Sequence, residues 1–226
     1  MKKTKLNDCF HDYLIENTPF NGIDEYESIP SILDMHNTEI PNDLIPFEKI
    51  KQEKNHRKYV HFYMHDEGFI DVLTNTRAYV SILKTFDGVI SPDPTIKVGQ
   101  KKYLQQTNTY YNRAVGAYLQ KQGIPVIPNI RWGDERTYEF CFLGVPKNII
   151  VSISTHGCIL SNKDKDYFRK GLAEMLKRLE PSKVIVHGYM PDSVFGDFLT
   201  NTRFHRFQSQ FEKTHPKIGN ENGIRL

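Results

Sequence analysis

The sequence predicts an α/β protein in which about five mostly parallel strands alternate with helices, as an open sheet or a partial barrel, behind an irregular N-terminal arm. Three observations carry that expectation. From Tyr59 onward, short β-branched or aromatic runs alternate with stretches of helical periodicity, the connections between them are short, and each run stops on polar residues. Strands and helices alternating over short connections imply right-handed crossovers and therefore a parallel sheet. A chain of 226 residues also suits one core with an appendage, since domains run to about 100–200 residues.

Residues 1–57 show no sustained period and carry breakers at Pro19, Gly22, Pro30, Pro41 and Pro46, which reads as an arm or lid. The α/β core is expected over 58–202. It opens with Tyr59-Val-His-Phe-Tyr-Met64, a strand by its aromatic and β-branched content, ending at His65-Asp66. Asn75 to Lys84 has helical spacing and leads into the strand Phe86–Ile90, which stops at Ser91-Pro92-Asp93. The clearest helix is Gln100–Gln122, with Gly123 in the place of a C-terminal glycine. Ile124 to Ile130 is an apolar run whose prolines argue against a central position, yet it reads as a strand ending in Arg131-Trp132-Gly133. Asp134 to Asn148 fits either an extra strand or a short helix. Ile149–Ile153 is a strand closing on Ser154-Thr155-His156-Gly157, and Asn162–Leu179 sets Phe168, Leu172, Met175, Leu176 and Leu179 on one helical stripe. Lys183–Val186 is a strand closing on His187-Gly188, and Pro191–Thr202 has the makings of another helix. Over 203–226, Phe204, Phe207 and Phe211 are expected to dock a C-terminal helix, followed by a tail.

Composition excludes some function classes. No apolar run approaches the roughly 18 residues of a membrane span, and the first residues lack the apolar stretch of a signal peptide, so no membrane partner and a cytoplasmic location are expected. Cys9, Cys141 and Cys158 show no CxxC spacing and imply neither a disulfide framework nor a thiolate zinc site. A net charge of +3 is too mild to select nucleic acid as partner. The Walker, GxSxG and HExxH patterns are absent from the chain.

What remains is the convergence of strand ends. In parallel α/β folds the ligand crevice lies outside the carboxyl ends of the strands. Asp66, Ser91 with Asp93, Asn129 with Arg131, Ser154 with Thr155, and His187 all fall there. Arg131 offers a guanidinium fork to phosphate or carboxylate, and Trp132 a face on which a ring can stack. Asp93, held between Pro92 and Pro94, is suited to act as a base or to ligate a divalent metal. Asp93, His187 and Asp66 are therefore the candidate catalytic residues. Ser91, Arg113, Asn129, Arg131, Trp132, Ser154 and Thr155 are the candidate ligand-binding residues, Arg113 because it shares a helix face with Gln106 and Tyr110. No cofactor and no metal set is specified by spacing.

Gly22-Ile-Asp-Glu-Tyr26, Phe86-Asp-Gly-Val-Ile-Ser-Pro-Asp93, the Gln106–Gly123 helix with Tyr110, Arg113 and Gly116, and Ile127-Pro-Asn-Ile-Arg-Trp132 together resemble a family of bacterial and phage proteins known as a domain of unknown function. The resemblance spans roughly residues 20–190, departs from the family pattern at Pro94, and implies a setting in phages or mobile elements rather than a mechanism. The expected partner is a small anionic ligand, nucleotide-like or otherwise phosphorylated, which the chain binds and processes. The alternatives are a non-catalytic protein that sequesters such a ligand, and a nucleic-acid-binding accessory protein using Arg203, His205 and Arg206 among the C-terminal phenylalanines.

Overall fold

The computed structural model describes residues 12–22, 28–35 and 39–215. Seven parallel strands follow one another in chain order: β3 (Leu44–Pro46), β4 (Tyr59–His61), β5 (Gly88–Ile90) and β6 (Val126–Ile127) in one ladder, β7 (Ile150–Ser154), β8 (Lys183–His187) and β9 (Phe204–Phe207) in another. A parallel bridge between Asn129 and Ser152 joins the ladders, with Ile130 N–H donating to Ser152 O at 2.8 Å and Ser152 N–H to Pro128 O at 2.8 Å. Ahead of them lies a short antiparallel hairpin, β1 (Phe20–Gly22) with β2 (Ser28–Pro30).

The expectation of about five strands is thus corrected to seven. Leu44–Pro46, inside the stretch expected to be irregular, pairs with β4 as the first strand of the sheet. At the other end, Phe204–Phe207 is a strand where a helix was expected. Those residues alternate beside β8, in register Val184 with Phe204 through His187 with Phe207, a period of two that helical packing does not satisfy. The C-terminal helix is confined to α6 (Gln210–Thr214), begun by a reciprocal cap between Ser209 and Glu212. Residues 216–226, the expected tail, lie outside the described residues, as does most of the Gly22–Tyr26 block.

Prolines explain why β6 has only two residues. Pro125 and Pro128 lack an N–H, but their carbonyls still accept from Val89 of β5 and Ser152 of β7. The remaining helices are α1 (Ile70–Thr74), α2 (Val80–Leu83), α3 (Lys102–Lys121), α4 (Asn162–Leu179) and α5 (Asp192–Phe195). They cover the outer face, where Val60, Val89 and Val126 meet Ala114, Val115 and Leu119 of α3, and Val151 and Val184 meet Phe168, Leu172 and Met175 of α4.

Side chains pointing the other way from successive strands gather into one inner cluster of Leu44, Tyr59, Ile90, Ile127, Ile150 and Ile185. The sheet is therefore strongly curled. The imidazoles of His61 in β4 and His187 in β8 have ring centroids 4.7 Å apart, whereas four interstrand steps in a flat sheet would separate those strands by about 19 Å. Among the described residues, no helix is long and apolar enough to cross a membrane.

Candidate functional site

Parallel pairing puts the carboxyl ends of the strands on one edge, and there the inner face turns polar. Asn129 (0% exposed), Ser152 (0%) and His187 (2%) replace the isoleucines of the layer below, and Ser91 (1%) faces α3. Polar groups so deeply buried must be paired, and they are. Asn129 Nδ2 donates to Asp93 Oδ1 at 2.7 Å and Arg131 Nη1 to Asp93 Oδ2 at 3.0 Å. The Tyr63 hydroxyl donates to Asn129 Oδ1 at 3.1 Å, so Ser152 Oγ, at 2.6 Å, is the donor to that hydroxyl. The chain Ser152 to Tyr63 to Asn129 to Asp93 thus has one direction, and both Asp93 oxygens accept. Burial pushes the Asp93 carboxyl up, while the Arg131 charge and the Asn129 hydrogen bond pull it back.

Helix α3 fixes the network from outside. Asn112 Nδ2 donates to Pro92 O and Asn129 O, and Ser91 Oγ donates to Asn112 Oδ1. Arg113, 1% exposed, spends its guanidinium on protein oxygens: Nε on Leu143 O at 3.0 Å, Nη1 on Asn112 Oδ1 and Asn129 O, Nη2 on Cys141 O at 2.9 Å. Burial lowers its pKa to about 10, still high enough to keep the charge at neutral pH. Arg113 therefore braces the wall behind the site instead of reaching into it.

A second group lies across the curl. The ring of His187 stacks on Tyr63 at 4.7 Å and abuts His61, and its Nδ1 is 3.2 Å from Ser154 Oγ. Burial brings His61 down to about 3, and burial reinforced by His61 holds His187 well below its ordinary value, so both imidazoles are neutral at pH 7. Thr155 Oγ1 donates to Tyr189 O at 2.8 Å across Gly188, whose φ of +109° disfavours any side chain and where a Cβ would stand 2.6 Å from Thr155 Oγ1. Asp66 accepts from Thr95 N–H at 3.2 Å and Thr95 Oγ1 at 2.7 Å, tying the turn after β4 to the loop that carries Asp93.

Beside this polar layer a cleft of about 320 Å³ opens between the ends of β6 and β7 and the start of α4. Arg131, Lys97, Ser154 and Cys158 line it, and Trp132 forms part of its floor. The Arg131 side chain is 21% exposed, and one nitrogen is engaged with Asp93. Trp132 is 7% exposed, packed against Phe168 with ring centroids 4.9 Å apart and against Gly171 of α4. Among the described residues no three His, Cys, Asp or Glu side chains converge as a metal site.

A family model described as a domain of unknown function, DUF4417, matches residues 23–208. The chain belongs to the DUF4417 family. It is similar to the Gene 1 protein of Mycobacterium phage L5, 30% identical over 158 residues that cover 66% of this chain and 69% of that protein. It is also similar to the Gene 1 protein of Mycobacterium phage D29, 31% identical over 140 residues, 59% of this chain and 52%, about half, of that protein. No solved structure matches the chain.

In this DUF4417 chain, then, the strand-end residues form three groups. Arg131, Trp132 and Ser154 line the cleft; Asp93, Asn129, Ser91 and Arg113 form the network behind it; His187, Thr155 and Asp66 belong to neighbouring contacts. Sequence reasoning passed over His61, Tyr63, Asn112, Ser152 and Lys97. Asn112 was open to detection as an amide within the Ala114–Leu119 side of α3, and Ser152 as a hydroxyl inside an otherwise aliphatic strand. His61 and Tyr63 alternate on one strand face, a pattern that marks an inner face without showing what it meets. The C-terminal cations are partly spent: Arg206 donates to Gly188 O at 2.9 Å and pairs with the buried Glu212.

Proposed function

We propose that the chain binds a phosphorylated small molecule in the cleft beside β6 and β7, in a phage or mobile-element setting, and that Arg131 holds the anionic group. The observation that carries this reading is the position of Arg131. Its guanidinium stands in a cleft of about 320 Å³, within the range of about 300–1,000 Å³ common for small-ligand sites, and is held by Asp93 with part of its surface open. A guanidinium restrained on one side presents its remaining donors at a fixed angle, which favours phosphate over a point charge. Lys97 adds a second cation, and the relatives named above supply the phage setting.

For turnover, Asp93 is the group in contact with Arg131 that is suited to carry a proton. Asp66 positions the Asp93 loop through Thr95 rather than meeting a ligand, and the neutral His187 is the second candidate base. One observation favours binding without turnover: Asp93 is 6% exposed and both of its oxygens are already engaged. The test is a thermal-shift and calorimetry screen against nucleotides, sugar phosphates and divalent metals, repeated with Arg131→Lys and Asp93→Asn. Binding is expected for a phosphorylated compound, weakened at least ten-fold by Arg131→Lys. Turnover abolished in Asp93→Asn with binding retained selects the enzyme, and binding without turnover in either protein selects sequestration. Unchanged affinity in Arg131→Lys refutes the anion site.

A further inference from the structure

We infer that the cleft's ligand is a nucleoside 5′-monophosphate, bound with its phosphate at Arg131 and Lys97 and its base against the apolar rim. This rests on the phosphate reading above and narrows it. Charge sets the upper bound. Among the described residues only two cationic side chains line the cleft, Arg131 and Lys97, and Arg131 already faces the Asp93 carboxylate, while Asp164 adds a negative charge to the lining. That balance suits one phosphate group, not the polyphosphate of a triphosphate or a dinucleotide. The volume of about 320 Å³, near the lower end for ligand sites, points the same way.

Charge also sets the orientation. The Asp164 carboxylate is occupied at the start of α4, accepting from Ser161 N–H at 2.9 Å and Ser161 Oγ at 2.7 Å. It keeps a negative charge where a helix N-terminus would otherwise attract an anion, so the phosphate is directed to Arg131 and Lys97 and the Asp164 side is left to uncharged hydrogen-bond donors, such as ribose hydroxyls or an exocyclic amine.

The apolar part of the lining requires a body on the ligand. Ile96, Ile130 and Phe168 are joined there by Val98, 44% exposed, and Leu160, 84% exposed. Scattered exposed apolar side chains need no explanation, but two lining one cleft that also holds Arg131 form an amphipathic site. Inorganic phosphate or a sugar phosphate leaves that rim in water, whereas a planar base covers it.

Calorimetry with inorganic phosphate, ribose 5-phosphate, adenosine and the four common nucleoside 5′-monophosphates tests this on the full chain, alongside Leu160→Ser, a change at a side chain too exposed to support the core. At least one monophosphate is expected to bind ten-fold or more tighter than ribose 5-phosphate, and Leu160→Ser should remove most of that margin. Equal affinity for ribose 5-phosphate and every nucleoside monophosphate overturns the nucleoside assignment and leaves the phosphate site standing. A margin that survives Leu160→Ser overturns the placement of the base on the rim. Adenosine binding as tightly as its monophosphate, or no binding by any probe, overturns both readings.

Discussion

Gly171→Ala sets two well-defined energies against each other. Glycine inside a helix is less stable than alanine by about 1 kcal/mol, so on an open face of α4 the change would stabilise. Here a Cβ would stand 2.1 Å from Trp132 Nε1 and 2.2 Å from Cδ1, where non-bonded carbon contacts are comfortable at about 3.5–4.0 Å. The indole would have to retreat by about 1.4 Å, yet it is 7% exposed and backed by Phe168 and Phe142. Overpacking of this kind costs about 1–3 kcal/mol, which offsets or outweighs the helix gain and leaves a net loss of up to about 2 kcal/mol. In a chain of this size that is a fall in Tm of up to roughly 8 °C. Trp132 is the only tryptophan, so urea unfolding followed by its fluorescence reads stability and the indole's surroundings together, and the native emission should shift as the ring moves toward the cleft. An alanine variant with an unchanged or higher urea midpoint and native emission like the parent would refute the packing argument and detach Trp132 from the cleft floor.

Three further outcomes are expected. Because burial depresses the pKa of His61 and His187, the unfolded chain binds protons that the folded chain does not, so their contribution is fully present above pH 6.5 and is lost as pH falls toward about 3 for His61. Denaturation at pH 6.5 and 5 should show about 1.5 kcal/mol lost through His61 and a further loss through His187, and a His61→Asn variant with an undiminished pH slope would contradict this. Tyr63→Phe removes the donor to Asn129 Oδ1 and the acceptor for Ser152 Oγ, a loss of about 1–3 kcal/mol measurable as a lower urea midpoint. Cys158 lines the cleft while Cys141 is fully buried, so a bound phosphorylated ligand should slow alkylation of Cys158 in peptide-mapping mass spectrometry and leave Cys141 unreacted throughout; equal Cys158 rates with and without ligand would place binding elsewhere.

The parallel order was legible because β-branched runs such as Ile149–Ile153 and Lys183–Val186 alternate with amphipathic stretches such as Asn162–Leu179, and local periodicity alone dictates that much. Two strands escaped notice for physical reasons. Leu44–Pro46 is three residues long and bounded by prolines, so its pairing depends on a neighbour distant in sequence and not on its own pattern. Phe204–Phe207 carries phenylalanines three apart, a spacing that fits a helix as well as a strand until β8 supplies its ladder. At the site, Arg131 and Asp93 were readable as strand-end residues, but their contact is a relation between separate loops. Arg113 shared a helix face with residues expected to reach the cluster, and only packing shows that the backbone oxygens of Leu143, Asn129 and Cys141 consume its donors.

The curl of the sheet decides why the polar residues belong together. In an open sheet, Tyr63 and Ser154 would each face a covering helix or water, and a polar side chain in either place needs only a local partner. Curling turns the inner face on itself, so the lower layer of Leu44, Ile90, Ile127, Ile150 and Ile185 closes as a dry core while the layer above it must satisfy every polar atom from opposite strands. That condition fixes Tyr63 between Asn129 and Ser152, Ser154 against His187, and Asn129 against Asp93. Of these, the run from Ser152 through Tyr63 and Asn129 restrains Asp93, and Asp93 in turn restrains Arg131. The guanidinium at the cleft is thereby oriented by Tyr63, Asp93 and Asn129 from the loops after β4, β5 and β6, by Ser152 of β7 and by Asn112 of α3, so its geometry is present before any ligand arrives. A preorganised arginine loses little freedom on binding, which is the physical reason that Arg131→Lys, with the same charge on a flexible stem, should weaken an anion bound there by ten-fold or more.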